Sequence, residues 1–308
     1  SDAASKGLAP GDRVLVVNHQ APTRDNLWKL RYIFQALRPQ PALVVKVRKP
    51  DGRERDLTLR SKVTQLKRVL DLTNDADWQD VVLQFEQGML ESRNECKDLS
   101  PATRVCRMPE FTGDPADVDN LIDGAKGRAT LLLDLRGNAG GSVESLERVA
   151  SHLLGSGKAI ATLVERDKRE EHITKGVRDP FAGKVVVLTD SRSASAAEVL
   201  AGLLKHYDRG TVIGDRTAGA VMVSIVRPHL MGVDRVFSYA MSVTVADLLL
   251  PDQPRLDRVG VTPHEIALPT PEDLAAGRDP VLARAAALAG ESLTPDAAAA
   301  LFPRVWRR

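Results

Sequence analysis

Three short apolar runs, each followed by a junction of small residues, constrain the fold of this chain more than any other feature. They occupy residues 130–135, 184–189 and 211–214. Runs of this length and uniformity read as strands buried on both faces. Helical spacing follows two of them, over 146–154 and over 196–204, where Val199, Leu200, Leu203 and Leu204 fall on one stripe. Strands alternating with helices need crossover connections, and those build a mainly parallel sheet. An α/β core is therefore predicted from about residue 105 onward. With 43% hydrophobic residues among 308, the chain has enough apolar side chain to fill it.

The N-terminal part follows a different rhythm. Gly7-Leu8-Ala9-Pro10-Gly11-Asp12 is a turn that feeds a strand at 14–17. Leu27, Leu30, Phe34 and Leu37 repeat at helical spacing, and Pro39 and Pro41 close that helix. A strand at 42–47, a turn at Pro50-Asp51-Gly52 and a strand at 55–59 complete the order strand, helix, strand, turn, strand. Residues 78–89 carry one more amphipathic helix (Trp78, Val81, Val82, Phe85, Met89), then a short strand is expected at 104–108 and a last helix at 280–288. The organisation expected is a first domain over 1–63, a linker or helical segment over 64–104, the α/β core over 105–290 and a tail over 291–308.

Charged residues make up 27% and the net charge is +2, which gives no reason to expect nucleic acid or a polyanion. Aromatics at 4% are too few for a base-stacking platform. No apolar run approaches the length of a membrane span. No signal peptide is visible, and the polar opening at 1–6 reads as trimmed. No His/Cys cluster has metal-ligand spacing, so no metal or other cofactor is expected. Cys96 and Cys106 lie close enough to pair in an oxidising compartment or to stand as two thiols; the spacing leaves both open.

Chemistry has two places to sit. Asp134-Leu135-Arg136-Gly137-Asn138-Ala139-Gly140-Gly141 follows a buried strand, and its glycines allow close backbone approach and N–H groups aimed at an anion. The plain alternative is a flexible turn. Ser191-Arg192-Ser193-Ala194-Ser195-Ala196-Ala197-Glu198 opens a helix after the next strand. A lone serine there is usually a helix cap. Here alanines leave room beside it, the helix dipole favours negative charge, and the Ala196 N–H is available, which suits a nucleophile with an adjacent oxyanion hole.

These segments together resemble the C-terminal processing (tail-specific) peptidases. The likeness extends to Gly7-Leu8-Ala9-Pro10-Gly11-Asp12-Arg13-Val14-Leu15, similar to their PDZ turn and strand. It extends also to Thr211-Val212-Ile213-Gly214-Asp215-Arg216-Thr217-Ala218-Gly219 and to Gly260-Val261-Thr262-Pro263, in the family's order over nearly the whole chain. The resemblance implies a crotonase/Clp-like spiral α/β core with an N-terminal PDZ-like domain. It implies a serine-type peptidase, with Ser195 as the nucleophile that forms an acyl-enzyme. Ala196 and one of Gly140 and Gly141, with Gly141 favoured, would form the oxyanion hole, and Asp257 would be the acid. Substrates would be proteins or peptides, bound through their C-termini by strand addition. The location would be periplasmic or secreted, an inference from likeness alone.

The same comparison exposes departures. The common branch of the family carries a lysine base in a Gly-Lys pair after the nucleophile; at that spacing this chain has Ala220. A second branch carries a histidine before the core; the matching stretch Val105-Cys106-Arg107-Met108-Pro109 has Arg107, and an arginine is a poor base. His264 replaces the aspartate usual after Gly-Val-Thr-Pro. His206 ends the nucleophile helix about 16 Å along its axis from Ser195, out of direct reach. The PDZ-like region lacks its first strand and carboxylate-binding loop. Two readings follow: an active endopeptidase with an unassigned base, or a catalytically inactive member that binds peptide tails. A related hydratase of acyl-CoA is disfavoured by the PDZ-like front and by Ser-Ala-Ser. Nothing in the sequence fixes an oligomeric state.

Overall fold

A turn locked by a buried carboxylate leads into the N-terminal sheet. Asp12 accepts the Ala9 N–H and pairs with Lys49 at 2.8 Å, with its side chain 2% exposed. The turn follows the single-turn helix α1 (Asp2–Ser5) and leads into β1 (Arg13–Val17). Then come α2 (Leu27–Tyr32), β2 (Ala42–Arg48) and β3 (Glu54–Arg60). The strands form an antiparallel sheet in the order β1-β2-β3 around Val45, Val47 and Leu57. The helix expected over 27–37 is α-helical only to Tyr32 and widens into a π turn over Ile33–Leu37. The computed structural model describes residues 1–37, 40–62, 93–111, 114–231, 237–252 and 255–303. The helix expected over 78–89 lies outside them.

The α/β core forms a second unit. Its elements are β4 (Glu95–Asp98), β5 (Thr103–Arg107), α3 (Pro115–Ala125), β6 (Thr130–Asp134) and α4 (Val143–Leu154). They continue through β7 (Ala159–Val164), β8 (Arg169–Ile173), β9 (Lys184–Thr189), α5 (Ala196–His206) and β10 (Gly210–Gly214). Last are β11 (Val223–Met231), β12 (Phe237–Leu249) and β13 (Glu265–Ile266). The main sheet runs β13-β10-β9-β6-β5-β4, parallel throughout except for β4 against β5. The apolar runs are its central strands: every residue of β6 is buried, as is all of β9 after Lys184. Each such Leu or Val stabilises the fold by about 1.5–3 kcal/mol. A second sheet, β11-β12-β7-β8, is antiparallel.

Three helices end the chain: α6 (Pro271–Ala276), α7 (Pro280–Leu288) and α8 (Pro295–Leu301). The chain divides into one unit of Ser1–Val81, Pro269–Ala283 and Leu293–Arg308, and another of Val82–Leu268 and Arg284–Ser292. Among the described residues no helix is long and apolar enough to cross a membrane.

Two local devices hold the core's margins. Cys96 and Cys106 face each other across β4 and β5 and form a disulfide, with a sequence separation of 10. Closing a loop of that size stabilises by about 2–3 kcal/mol. Urea unfolding of the oxidised and the reduced protein should differ by that amount, and equal midpoints would refute a stabilising role for the bond. On α3, Asp119 accepts Arg148 Nε and Nη2 at 2.7 and 2.9 Å, and His152 Nε2 lies 2.6 Å away. The hydrogen bonds from Arg148, aided by His152, hold the Asp119 carboxyl down at about 2. A depressed carboxyl contributes stability above its ordinary pKa of 3.8 and loses it as pH falls toward 2. Asp119→Asn should therefore cost about 1 kcal/mol at neutral pH, after allowance for partial exposure. The cost should vanish across that acid window in a pH series of unfolding midpoints.

Candidate active site

The site lies at the carboxyl ends of the central parallel strands, where open α/β sheets place their ligands. The loop after β6 is built by its own polar residues. Asp134, 3% exposed, holds Arg136 by a fork of bonds at 2.9 and 2.7 Å. Asn138, fully buried, donates to the Met108 carbonyl at the end of β5 and accepts the Gly140 N–H, both at 2.8 Å. Its own carbonyl accepts the Ala194 N–H at 2.8 Å. Asp190, just past β9, accepts the Gly137 N–H at 2.9 Å. One asparagine thus ties the ends of β5 and β6 to the turn that precedes Ser195.

Gly140 and Gly141 are needed for fit. Gly140 has φ +101, and a Cβ there would lie 2.6 Å from Ser195 Cβ and 3.1 Å from the Ala196 nitrogen. Gly141 has φ +141, and a Cβ there would lie 2.1 Å from the Phe111 carbonyl oxygen. The two segments singled out in the sequence are therefore in direct contact. The Gly140 N–H, one of the expected candidate donors, is instead committed to Asn138. Of the expected donors, Gly141 and Ala196 remain. Ala196 stands in the first turn of α5, whose N–H groups have no intrahelical acceptor.

Ser195 has φ 52 and ψ −120. The capping residues Asp114, Ser142, Thr270 and Thr294 are all extended, with φ between −65 and −96. The Ser195 backbone differs from that of these caps, although Glu198 accepts its N–H as in a capping box. A side chain in this backbone region costs on the order of 1–3 kcal/mol and persists only where the surroundings enforce it.

Glu198 does much of the enforcing. It is 0% exposed and takes four donors: the Ser195 N–H at 3.2 Å, the Gly219 N–H at 2.7 Å, the Ala220 N–H at 2.8 Å and the Thr217 hydroxyl. Burial pushes its carboxyl up, and the donors pull it back in part. Ser195 N–H also donates to the Ala220 carbonyl at 2.9 Å. Thr217 is in turn zipped to Val261, whose N–H donates to its Oγ1 at 2.7 Å. The Gly260-Val261 motif thereby braces the Ser195 turn through Thr217 and Glu198. Sequence reasoning quoted Glu198 without giving it a role, although an acid three residues after a helix-opening serine is the capping-box spacing.

The other expected residues lie as follows. Ala220 is exposed, and its backbone touches that of Ser195, so a side chain at this position starts beside Ser195. Arg107 ends β5, in register with Asp134. Asp257 sits in the turn whose Arg258 N–H donates to the Gly219 carbonyl at 2.7 Å, and its carboxylate faces Arg258 Nε at 3.8 Å. Three histidines have other partners: His152 with Asp119, His172 with Glu147, and His264 Nδ1 with the Val212 N–H.

Residues 104–267 match the model of peptidase family S41. The chain belongs to that family. The S41 match opens in β5 and closes just past β13, so it takes in Ser195, both glycines and Glu198. The carboxy-terminal processing protease CtpB of Bacillus subtilis (strain 168) is 24% identical over 282 residues, 90% of this chain and 52% of CtpB. The chloroplastic C-terminal processing peptidase of Tetradesmus obliquus is 33% identical over 138 residues, 45% of this chain and 28% of that protein. The chain thus spans about half the length of the first relative and less of the second. The crystal structure of mature CPAF shares the fold, with a TM-score of 0.59 at 14% identity over 86% of this chain and 73% of that one.

Removing Glu198 should loosen Ser195 before it unfolds the core. Glu198→Ala leaves buried donors unmatched and should cost about 2–4 kcal/mol, whereas Glu198→Gln, which keeps an acceptor, should cost less. Urea titrations of the two variants check this, and equal costs would show that the carboxylate's bonds do not matter.

Proposed function

We propose that this S41 chain is a serine endopeptidase of the C-terminal processing type that works through a Ser195 acyl-enzyme. The observation that supports it best is the backbone of Ser195, held at φ 52 by Glu198 and Ala220 and pressed against Gly140. Ser195 Oγ attacks the scissile carbonyl. The C–O bond forms, the Oγ proton goes to a base, and the C–N bond breaks as the leaving amine takes a proton; water then hydrolyses the ester. The Ala196 and Gly141 N–H groups, with the dipole of α5, stabilise the oxyanion. The base is neither the methyl of Ala220 nor the guanidinium of Arg107. Asp257 is the acid of the set, through a partner still to be assigned.

The finer architecture belongs to the same reading: a crotonase/Clp-like spiral core and a PDZ-like first unit that takes polypeptide tails. Support for the latter comes from the Asp12-locked turn and the antiparallel β1-β2-β3 sheet. A periplasmic or secreted location is favoured by the Cys96–Cys106 disulfide, since such bonds persist in oxidising compartments.

Unfolded casein and a fluorophosphonate probe, each run beside Ser195→Ala, test the activity. Cleavage and labelling that vanish in the variant are expected. A parent indistinguishable from Ser195→Ala would overturn the peptidase reading in favour of a tail-binding member. Ala220→Lys places an amine beside Ser195 and should raise labelling by roughly 10-fold or more, since a positioned base contributes at least that.

A further inference from the structure

We infer that the cavity between α3 and α4 is a subsite for a basic side chain of a polypeptide substrate, a lysine or arginine a few residues from the bond under attack. The inference rests on the serine-peptidase reading and adds a specificity determinant to it. Three observations carry it.

The first is position. The cavity has a volume of about 180 Å³ and lies between Pro115 and Asp119 of α3, the first turns of α4, and Lys175 just past β8. That is below the roughly 300–1,000 Å³ of small-molecule sites and of the order that admits one side chain. Ser142, directly after Gly141, caps α4, and Glu144 stands in the first turn of that helix. Glu144 is three residues from Gly141, so at most roughly 10 Å of chain separates the expected oxyanion donor from the cavity, about three residues of an extended substrate.

The second is construction. Asp119 is taken up by the Arg148 fork and by His152. Glu147, with its side chain 13% exposed, accepts from His172 Nδ1 at 2.5 Å and from Lys175 Nζ at 2.9 Å. Burial opposes ionisation of Glu147, but these two bonds outweigh it and hold its carboxyl below the usual range. Ser151 Oγ donates to the Glu147 carbonyl at 2.6 Å and accepts the Lys175 N–H at 2.9 Å, which ties the segment after β8 to α4. Asp119 and Glu147 are thus ionised at neutral pH and already matched by partners within the chain.

The third is a residual charge. Three carboxylates and two cations line the cavity, so one negative charge is left over. It belongs to Glu144, which is exposed; among the described residues no hydrogen bond or ion pair engages it, and Lys175, bonded to Glu147, feels its charge from further off. An acid in a first turn also suits the helix dipole, and Glu272 in the first turn of α6 is the comparison for that role alone. A substrate lysine or arginine supplies the missing cation, and its aliphatic stem packs along the cavity wall while its head reaches Glu144. An acidic side chain would add a fourth carboxylate and is disfavoured.

Binding of short fluorescent peptides to Ser195→Ala, read by anisotropy, tests this. The peptides are identical except for lysine, norleucine or glutamate at one position, which is moved along the peptide. At the best position lysine should bind roughly five-fold more tightly than norleucine, the upper range for an exposed ion pair, and glutamate more weakly than norleucine. The lysine preference should fade as salt is raised. Glu144→Gln in the same background should erase it, and Glu144→Lys should turn it in favour of glutamate, whereas Glu272→Gln should leave it unchanged. A lysine preference that survives Glu144→Gln, equal binding of the three peptides at every position, or no binding of any of them overturns the subsite. Fluorophosphonate labelling of the unmodified protein is scored separately. Labelling without selectivity that depends on Glu144 sinks only the subsite, and such selectivity without labelling sinks only the peptidase reading.

Discussion

A carboxylate sealed from water is tolerable only when donors surround it, and the donors around Glu198 come from two separate stretches of chain. One is the turn that carries Ser195, and the other is the segment from Thr217 to Ala220. Neither stretch has regular secondary structure to hold it. Their common acceptor makes them one object, and Thr217 extends that object to Val261. The strained serine, its neighbour at position 220 and the distant Gly260-Val261 motif are therefore coupled through one buried side chain. Asn138 does similar work with neutral groups, joining Met108, Gly140 and Ala194. Ser195 is bonded to one polar clamp and packs against the loop held by the other, and each clamp spans segments far apart in sequence.

This arrangement explains which parts of the fold were legible in the sequence. The central strands could be read because burial on both faces leaves only apolar residues. Helix α5 was visible from its stripe. The β11–β12 hairpin was missed although its pattern was present: Ser238, Ala240, Ser242, Thr244 and Ala246 alternate with Phe237, Tyr239, Met241, Val243 and Val245. Pro228 obscured it, since a proline argues against a strand until the strand is known to be an edge. Helix α3 was also overlooked, despite Asp114 as cap and Pro115 at its first position. The widening of α2 after Tyr32 had no counterpart in the periodicity.

At the site, the types of residue were legible but their division of labour was not. Gly140 lies against Ser195 and Ala196, and Gly141 against Phe111. That the Gly140 N–H is already taken depends on the fold of Asn138's side chain, and spacing alone could not show it. The pairing of Cys96 with Cys106 was open in the sequence because it depends on the register of β4 against β5, which puts the two residues directly opposite.

The backbone of Ser195 also bears on how such a chain would drift over time. At φ 52 a glycine would relieve strain on the order of 1 kcal/mol at no cost in shape, since the space beside it is already filled by Gly140. Natural selection for stability alone would favour that replacement, and it needs few nucleotide changes. A lineage with no further use for the hydroxyl would be expected to lose it early. A serine kept at a position where glycine would be easier is what a use for the oxygen itself predicts, independent of what stands at positions 220 and 107.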